Sequence, residues 1–355
     1  MESVVNELYE IIKDHRSDIG FMTTERIYDW IKQFEKEDQE LILNETLHIM
    51  KQRYISKESG IQHIKGIINY LKQKEPFENV KELISNSYFI DNQSEGKSQK
   101  LLLNFLDDVL QKDYNTSLRE CNSTNPKYVI YLDDFLCTGE TAIKGLADEE
   151  SGWFNALHNN GGTNFENFKA SKSQLVLAYL AAHNKCISKF TTRLYKCLGE
   201  KNVGSILYVW NNRFLIDNDG TEGELNFLYP TADIIDEEIL ACQKEIEDKI
   251  HDRGYKKTEN IQYRKPDNPA EEKFFSNSEN RNRYELIILK KCIELYNKIP
   301  KENKRARPLG YGQYTDMSLG FGTLIFSWRN VPFNTPLCFW YNAHGFSPLF
   351  LREHT

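Results

Sequence analysis

The sequence predicts an α/β protein with a mostly parallel sheet and flanking helices, preceded by an all-helical N-terminal domain. Two observations indicate this class. Apolar residues recur three and four positions apart over residues 1–76, which is the period of a helix. From about residue 85, short apolar runs alternate with helical segments, and such alternation is typical of a parallel sheet covered on both faces.

The elements follow in order along the chain. The N-terminal helices end at Glu75-Pro76, because proline disfavours a helical conformation in the preceding residue. The pattern then predicts strands at 87–90, 127–132, 173–181 and 205–210, and helices at 97–110, 141–147, 183–198, 233–253 and 283–298. We therefore expect a helical domain (1–76), a core (77–220) and a C-terminal region (221–355).

Two segments break this alternation. Residues 151–172 are rich in Gly and Asn and are predicted to form a loop inserted into the core. The last 50 residues are rich in aromatic residues, Gly and Pro, and are too apolar for a disordered terminus. We expect this aromatic tail to pack on the sheet as short strands and turns.

Composition excludes several classes of protein. The chain has 355 residues and no window near the roughly 18 apolar residues of a membrane span, and its acidic opening is unlike a signal peptide, so we expect a cytoplasmic location. Its seven cysteines never form C-x-x-C and are predicted to be free thiols. A net charge of -7 argues against binding duplex DNA through many phosphates, although a basic patch at residues 301–307 is a candidate nucleic-acid contact.

The most informative segment is 128–141. An apolar strand is followed by Asp133-Asp134 and by a small-residue turn into a helix, and ligands of open α/β sheets bind beyond such strand ends. Backbone N–H groups of residues 138–141 and two threonine hydroxyls predict an anion cradle supported by the helix dipole. The carboxylates suit vicinal sugar hydroxyls or a hydrated Mg²⁺. Together these features predict a ribose 5-phosphate site.

This segment resembles the 5-phosphoribosyl 1-pyrophosphate (PRPP) signature of type I phosphoribosyltransferases, which has apolar positions, Asp-Asp, two spacers and Thr-Gly-x-Thr. Outside the motif, Trp30, a Gly96-Lys97-Ser98 turn and the aromatic tail are similar to bacterial phosphoribosyltransferase-like proteins with a C-terminal extension. Those proteins are associated with conflict and anti-phage defence loci. The resemblance therefore implies a type I phosphoribosyltransferase-like core that uses PRPP.

The resemblance also implies roles for individual residues. It assigns the ribose hydroxyls, a water-bridged Mg²⁺ and electrostatic catalysis to Asp133 and Asp134. Lys97 and Ser98 are the candidates for the pyrophosphate side. The residues implied to bind the 5-phosphate are Cys137, Thr138, Gly139, Glu140 and Thr141. A defence-system protein or a nucleic acid is the implied partner.

One departure from the family pattern leaves the function open. Cys137 stands where the family usually has threonine, alanine or an acidic residue, and a thiol with a pKa of roughly 8.5 is a poor base. Purine salvage is therefore not predicted. The leading hypothesis is an Mg²⁺-dependent phosphoribosyltransferase or PRPP-consuming effector, the second is a sensor that binds PRPP or a nucleotide without turnover, and the third is a scaffolding subunit. His183 and Trp210, at predicted strand ends, are interpreted as core residues more readily than as site residues.

Overall fold

A computed structural model describes residues 1–94, 97–122, 124–199, 206–217, 224–251, 263–312, 318–343 and 345–352. The helices within these ranges are α1 (Glu2–Ile12), α2 (Thr24–Ile31), α3 (Gln39–Arg53), α4 (Lys57–Lys74), α5 (Val80–Ser85), α6 (Ser98–Tyr114), α7 (Glu140–Ala147), α8 (Asn164–Ala170), α9 (Asn184–Cys197), α10 (Glu237–His251), α11 (Ser278–Tyr296) and α12 (Leu337–Trp340). The strands are β1 (Tyr54–Ile55), β2 (Ser87–Phe89), β3 (Tyr128–Leu136), β4 (Gln174–His183), β5 (Ile206–Trp210), β6 (Leu215–Ile216) and β7 (Phe326–Ser327).

The chain divides into two compact units. Unit 1 comprises residues 1–57 and 216–355, and unit 2 comprises residues 58–215. The two ends of the chain therefore share one unit, whereas the sequence pattern suggests a separate domain at residues 1–76. Helix α4, expected in that N-terminal domain, belongs almost entirely to unit 2.

Unit 2 is built on parallel strands in the order β2-β3-β4-β5. Strands β3 and β4 are buried at most positions, as expected for central strands covered on both faces. Asp133 of β3 lies opposite Tyr179 of β4, which in turn lies opposite Trp210 of β5. The predicted α/β class, with a mostly parallel sheet and flanking helices, is confirmed.

Helices cover both faces of this sheet. On one face, Ile130, Leu132 and Ala178 border a small apolar cavity together with residues of α4, α5 and α6. On the other face, Val129 and Tyr131 belong to a buried cluster with residues of α7, α8 and α9. Because successive residues of a strand point to opposite faces, the uninterrupted apolar run of β3 supplies apolar side chains to the cores on both faces of the sheet.

The hydrophobic core of unit 1 joins the two ends of the chain. Its buried residues come from α1, α2, α3, α10, α11 and the aromatic tail. Trp30 of α2 shows the connection, because its Nε1 donates to the carbonyl of Cys338 over 2.9 Å and its ring stacks on Phe339 with centroids 5.6 Å apart. The tail, expected to pack on the sheet, is thus built into the core of unit 1.

A short strand lies in the segment predicted to be helical only. Strand β1 pairs in parallel with β7, with Tyr54 opposite Phe326 and Ile55 opposite Ser327. Two residues are too few to show the alternation of a strand, and their partner is far away in the sequence. Local pattern therefore carries no signal for β1.

A buried ionic network lies in unit 1. Arg264 and Arg281 are 3% and 0% exposed, and each forms an ion pair with Glu285 at 3.0 Å. Arg281 also pairs with Glu272 at 3.0 Å and donates to two backbone carbonyls. Two guanidinium groups and two carboxylates thus neutralise each other, which is the condition for burying such charges.

Part of the predicted inserted loop is helical. Helix α8 begins after Thr163, whose hydroxyl accepts the N–H of Glu166, while the Glu166 carboxylate accepts the N–H of Thr163. This capping box is visible in the sequence as Thr-x-x-Glu. Phe168 of α8 packs against Phe154 with ring centroids 5.4 Å apart. The segment 151–172 therefore carries a small aromatic core rather than a loop throughout.

Candidate ligand site at the end of strand β3

The two predicted carboxylates lie within β3. The strand continues to Leu136, and Asp133 and Phe135 pair in register with Tyr179 and Ala181 of β4. Side chains of adjacent strand residues point to opposite faces, so the two acids have different surroundings. Asp133 is buried, whereas Asp134 is half-buried.

The carboxylate of Asp133 accepts four hydrogen bonds. Ser98 Oγ donates to Oδ1 over 2.7 Å, and the N–H of Asp134 donates to the same oxygen over 2.9 Å. Gln93 Nε2 and the Tyr131 hydroxyl donate to Oδ2 over 3.1 and 3.2 Å. These donors compensate the loss of water around a carboxylate that is only 5% exposed. Asp133 is therefore held in one orientation by the protein.

Burial controls the acidity of this group and its neighbours. Burial raises the pKa of Asp133, and the hydrogen bonds from Ser98 and Gln93 are among those that oppose the increase. The pKa values of the Tyr131 and Tyr179 hydroxyls are well above their usual range, first through burial and then through the negative charge of Asp133. Both phenols therefore stay protonated, and the Tyr131 hydroxyl donates to Asp133. The Tyr179 hydroxyl has no hydrogen-bond partner among the described residues.

Asp134 offers the more accessible carboxylate. Its Oδ1 accepts the N–H of Phe135 over 2.7 Å, and the side chain is half-buried. A carboxylate at such a position suits sugar hydroxyls or a hydrated Mg²⁺, both of which prefer hard oxygen acceptors. Ligand contact at Asp133, in contrast, requires competition with Ser98 and Gln93.

Gly139 makes the turn from β3 into α7. Its φ is +72°, in the left-handed region that favours glycine. A Cβ atom at this position would lie 2.5 Å from the ring of Phe190, so both the backbone and the available space require glycine. Helix α7 begins at Glu140, where the N–H groups of a first helical turn favour an anion. The segment thus has the strand-turn-helix order that the sequence predicts for the anion cradle.

The side chains around this turn differ in exposure. Cys137 is buried, Thr138 is half-buried and Thr141 is exposed. Glu140 accepts two hydrogen bonds from Arg193 of α9, at 2.6 and 3.0 Å, and this hydrogen-bonded pair raises the pKa of Arg193. Because its carboxylate is paired with a cation, Glu140 repels an anion at the cradle only weakly. Its backbone N–H donates to the hydroxyl of Thr138 over 3.4 Å.

The two residues predicted on the pyrophosphate side have different surroundings. Ser98 is the first residue of α6 and donates to Asp133. Lys97 precedes it and is exposed, and within the described ranges no hydrogen bond or ion pair joins it to the carboxylate pair. Gly96, the other member of that turn, lies outside the described residues. Only Ser98 is therefore brought into contact with an acidic residue of the site.

The residues that position the segment before α6 were not predicted from the sequence. Gln99 is fully buried, and its Oε1 accepts the N–H groups of Asn92 and Gln93 at 3.2 Å each. A signal was present, because Gln99 lies on the apolar stripe of α6 that continues with Leu103 and Leu106. A polar residue on such a stripe indicates a specific hydrogen-bonding role.

Two other candidates lie at the same edge of the sheet. His183 ends β4 and is fully buried, which agrees with a structural role. Trp210 ends β5, is half-buried, and has a buried Nε1 without a partner among the described residues. Trp210 is therefore not an ordinary core residue.

The predicted basic patch near residue 301 is only partly on the surface. Arg307 is 1% exposed and donates to the carbonyls of Lys304 and Ala306. Its guanidinium therefore contributes to unit 1 rather than to a surface for phosphates.

In the part of the chain that the structure describes, no group of three or more His, Cys, Asp or Glu side chains is arranged to hold a metal. None of the described helices has both the length and the apolar character needed to cross a bilayer.

The parallel sheet, the acid pair on a central strand and the glycine turn into α7 define a phosphoribosyltransferase-like domain. Comparison with protein families identifies the chain more closely: it belongs to the PRTase-CE family, the phosphoribosyltransferases with a C-terminal extension, whose family model matches residues 27–352. The match includes both the β3 motif and most of the aromatic tail, so the resemblance found in the sequence is confirmed. Neither the curated proteins nor the solved structures contain a significant match to the chain.

Proposed function

We propose that the protein is an Mg²⁺-dependent phosphoribosyltransferase-like effector that uses PRPP. Family membership supports a ribose-phosphate ligand. The observation that carries the proposal is the succession of a half-buried carboxylate at Asp134, a left-handed turn at Gly139 and the start of α7. This succession provides acceptors for sugar hydroxyls and donors for a phosphate within one short segment.

The proposed chemistry is mainly electrostatic. The 5-phosphate accepts hydrogen bonds from the N–H groups and hydroxyls of residues 138–141, and the ribose hydroxyls donate to Asp134. The anomeric C–O bond breaks with oxocarbenium character, pyrophosphate leaves with its electron pair, and a nucleophilic atom of the acceptor forms the new bond to the same carbon. The negative charges of Asp133 and Asp134 stabilise the positive centre. Mg²⁺, held through water by Asp134, would neutralise charge on the departing pyrophosphate, and the exposed Lys97 is a further cation for that group.

A sensor that binds PRPP or a nucleotide without turnover is the second candidate. Two observations favour it. The residue before Thr138 is the buried thiol of Cys137 and not an acid that could accept a proton, and both oxygens of Asp133 are already occupied by protein donors. Such a site recognises a ligand more readily than it activates an acceptor.

Calorimetric titration with PRPP and Mg²⁺, followed by measurement of released pyrophosphate, tests the proposal. We expect Asp134→Asn to weaken PRPP binding at least tenfold, because a neutral amide loses charge and one acceptor. Asp108→Asn, at an exposed position of α6, is the matched control and is expected to bind like the wild type. Addition of EDTA is expected to weaken binding to the wild type.

The three outcomes separate the candidates. Binding with pyrophosphate release supports a transferase, and binding without release in the presence of nucleotide and RNA acceptors supports the sensor. Equal affinities of Asp134→Asn and Asp108→Asn would remove the β3 segment from consideration as a PRPP site.

An anti-phage role is part of this proposal and rests on the sequence resemblance. We expect bacteria that express the wild-type chain with its neighbouring genes to restrict phage plating, and we expect Asp134→Asn to abolish the restriction. Restriction by the Asp134→Asn variant, at an equal protein level, would indicate a scaffolding subunit instead.

A further inference from the structure

An acidic residue stands at the start of the predicted anion cradle. Glu140 is the first residue of α7, at the helix end whose free N–H groups attract an anion. A phosphate group bound there carries nearly two negative charges at neutral pH, since its second pKa is about 6. An unpaired carboxylate at the same helix end would oppose the binding of such a group. The charge of Glu140 therefore has to be compensated for the cradle to hold a phosphate well.

Helix α9 supplies the compensating charge. Arg193 donates from Nη1 to Oε2 of Glu140 over 2.6 Å and from Nη2 to Oε1 over 3.0 Å. Two such bonds between planar groups form the bidentate geometry that holds a carboxylate in one orientation. The two residues are 53 positions apart, so this contact exists only because α9 packs beside α7.

The same helix also shapes the turn before Glu140. Phe190 precedes Arg193 by three residues, which places both on one face of α9. Phe190 is 1% exposed, and a Cβ atom at Gly139 would lie 2.5 Å from its ring. Phe190 thus packs on Gly139, and Arg193 binds the next residue of the chain. One face of α9 therefore controls both the shape of the turn and its charge.

The exposure of the ion pair indicates what it contributes. The side chains of Arg193 and Glu140 are 42% and 44% exposed, and ion pairs at such positions contribute little to the free energy of unfolding. Removal of one member, in contrast, leaves a whole unit of charge beside the cradle. The pair is therefore expected to affect a bound anion more than it affects the stability of the fold.

We propose that Arg193 is a positioning residue that sets the phosphate affinity of the cradle by holding and neutralising the carboxylate of Glu140. It acts through Glu140 and does not itself bind the phosphate. This role rests on the proposed function, because it requires a 5-phosphate at residues 138–141. It adds that a helix outside the β3 motif determines how strongly a dianionic group is held there.

Calorimetric titration of the full-length protein with ribose 5-phosphate, and with PRPP and Mg²⁺, tests this role. Arg193→Gln is expected to bind either ligand about tenfold more weakly than the wild type, because an unpaired carboxylate then repels the phosphate. Glu140→Gln is expected to bind them at least about twofold more tightly, because the guanidinium charge is no longer neutralised. The double variant has no net charge at the pair and is expected to recover most of the loss caused by Arg193→Gln.

Salt and a conservative substitution give two readouts that a merely structural role would not change. Raising the salt concentration from about 0.1 M to about 1 M shortens the range of electrostatic interactions from about 10 Å to about 3 Å. The difference in affinity between the wild type and Arg193→Gln is expected to shrink to about threefold or less. Arg193→Lys keeps the charge without the bidentate geometry and is expected to retain most of the affinity.

Arg283→Gln is the matched control. Arg283 pairs with Asp38 in unit 1 at 3.1 Å, and its side chain is 55% exposed. This variant is expected to bind both ligands like the wild type, and circular dichroism checks that each variant is folded. Should Arg193→Gln fail to fold, the sign of the Glu140→Gln effect decides, since breaking a merely structural pair would weaken binding.

The outcomes separate this role from the proposed function. Weak binding by both Arg193→Gln and the double variant would show direct contact between the guanidinium and the phosphate, and would overturn the role proposed for Arg193. A wild type that binds the ligands no better than Arg193→Gln rejects this role alone. A wild type that binds neither ribose 5-phosphate nor PRPP rejects the proposed function and the role of Arg193 with it.

Discussion

Ser98 and Asp133 are joined by a hydrogen bond of 2.7 Å between the serine hydroxyl and the buried carboxylate. The contact connects the first residue of α6 with β3, 35 residues further along the chain. Gln93 donates to the other carboxylate oxygen, and Gln99 positions Gln93 through the backbone. The segment before α6 and the acid pair therefore form one hydrogen-bonded network. A change at one residue of this network alters the hydrogen bonds of the others.

We expect Ser98→Ala to lower the free energy of unfolding by about 1–3 kcal/mol, because a buried carboxylate loses a short donor. The pKa of Asp133 is expected to rise further, since the bond from Ser98 lowers it. Urea denaturation measures the loss. Ser85→Ala, which removes an exposed hydroxyl donor to a backbone carbonyl, is the control and is expected to cost less than about 0.5 kcal/mol. Similar losses in both variants would contradict this account.

Gly139→Ala separates backbone strain from crowding when compared with Gly199→Ala. Both glycines have positive φ, at +72° and +67°, but a Cβ meets Phe190 only at Gly139, and nothing lies within 4 Å of it at Gly199. We expect Gly199→Ala to cost about 1 kcal/mol and Gly139→Ala clearly more, with weaker binding of inorganic phosphate in the latter. Thermal denaturation and phosphate titration measure the two effects. Equal costs would mean that Phe190 moves aside.

The ionic network of unit 1 is expected to be sensitive to the loss of one charge. Glu285→Gln leaves two buried guanidinium groups with a single carboxylate, and we expect the free energy of unfolding to fall by about 3–5 kcal/mol. Glu294→Gln, on the same helix, breaks exposed pairs with Lys291 and Lys298 and is expected to cost about 0.5 kcal/mol or less. Denaturation in urea distinguishes them, and a small effect of Glu285→Gln would show that water enters the network.

His15 makes the stability of unit 1 dependent on pH. Its ring is fully buried, with Nδ1 2.8 Å from the carbonyl of Ser327 and Nε2 3.1 Å from the N–H of Leu351, so Nδ1 carries the proton and donates. Burial is the main cause that lowers the pKa of His15 from 6.5 to about 4. Between these two pKa values, the unfolded chain binds a proton at residue 15 that the folded chain does not. The contribution of His15 to the free energy of unfolding therefore has its full value above about pH 6.5 and decreases as the pH falls.

The comparison of wild type with His15→Gln isolates this effect from other titrating groups. At about pH 7 we expect the wild type to be more stable, because it keeps both hydrogen bonds of the ring. We expect the difference in the free energy of unfolding between the two proteins to shrink by about 2–3 kcal/mol between about pH 7 and about pH 4.5, since only the wild type loses stability by protonation at residue 15. Urea denaturation at three pH values measures it, and a constant difference would refute the assignment.

The site was predictable where its residues are neighbours in the sequence. Asp133, Asp134 and Gly139 fall within seven positions, and the change from an apolar run to acids and then to Thr-Gly is a local signal. Arg193, Gln93 and Phe190 were not predictable, because their roles depend on contacts with residues 40–53 positions away. Only the packing of α6 and α9 on the sheet brings them to β3.

The sequence by itself determined the class of the fold, the principal strands and helices of unit 2, and the PRTase-CE family, because hydrophobic period and short motifs act over a few residues. Tertiary structure decided which segments share a core. The aromatic tail is built in with Trp30, and the charges of Arg264 and Arg281 are buried because acids distant in the sequence or on the next helical turn meet them. It also decided that Asp133 is buried while Asp134 is half-buried, since Ser98 contacts only the side of the strand to which Asp133 points. The hydrophobic period and the motif are properties of the local sequence. The partners of a residue depend instead on how the whole chain buries its apolar surface.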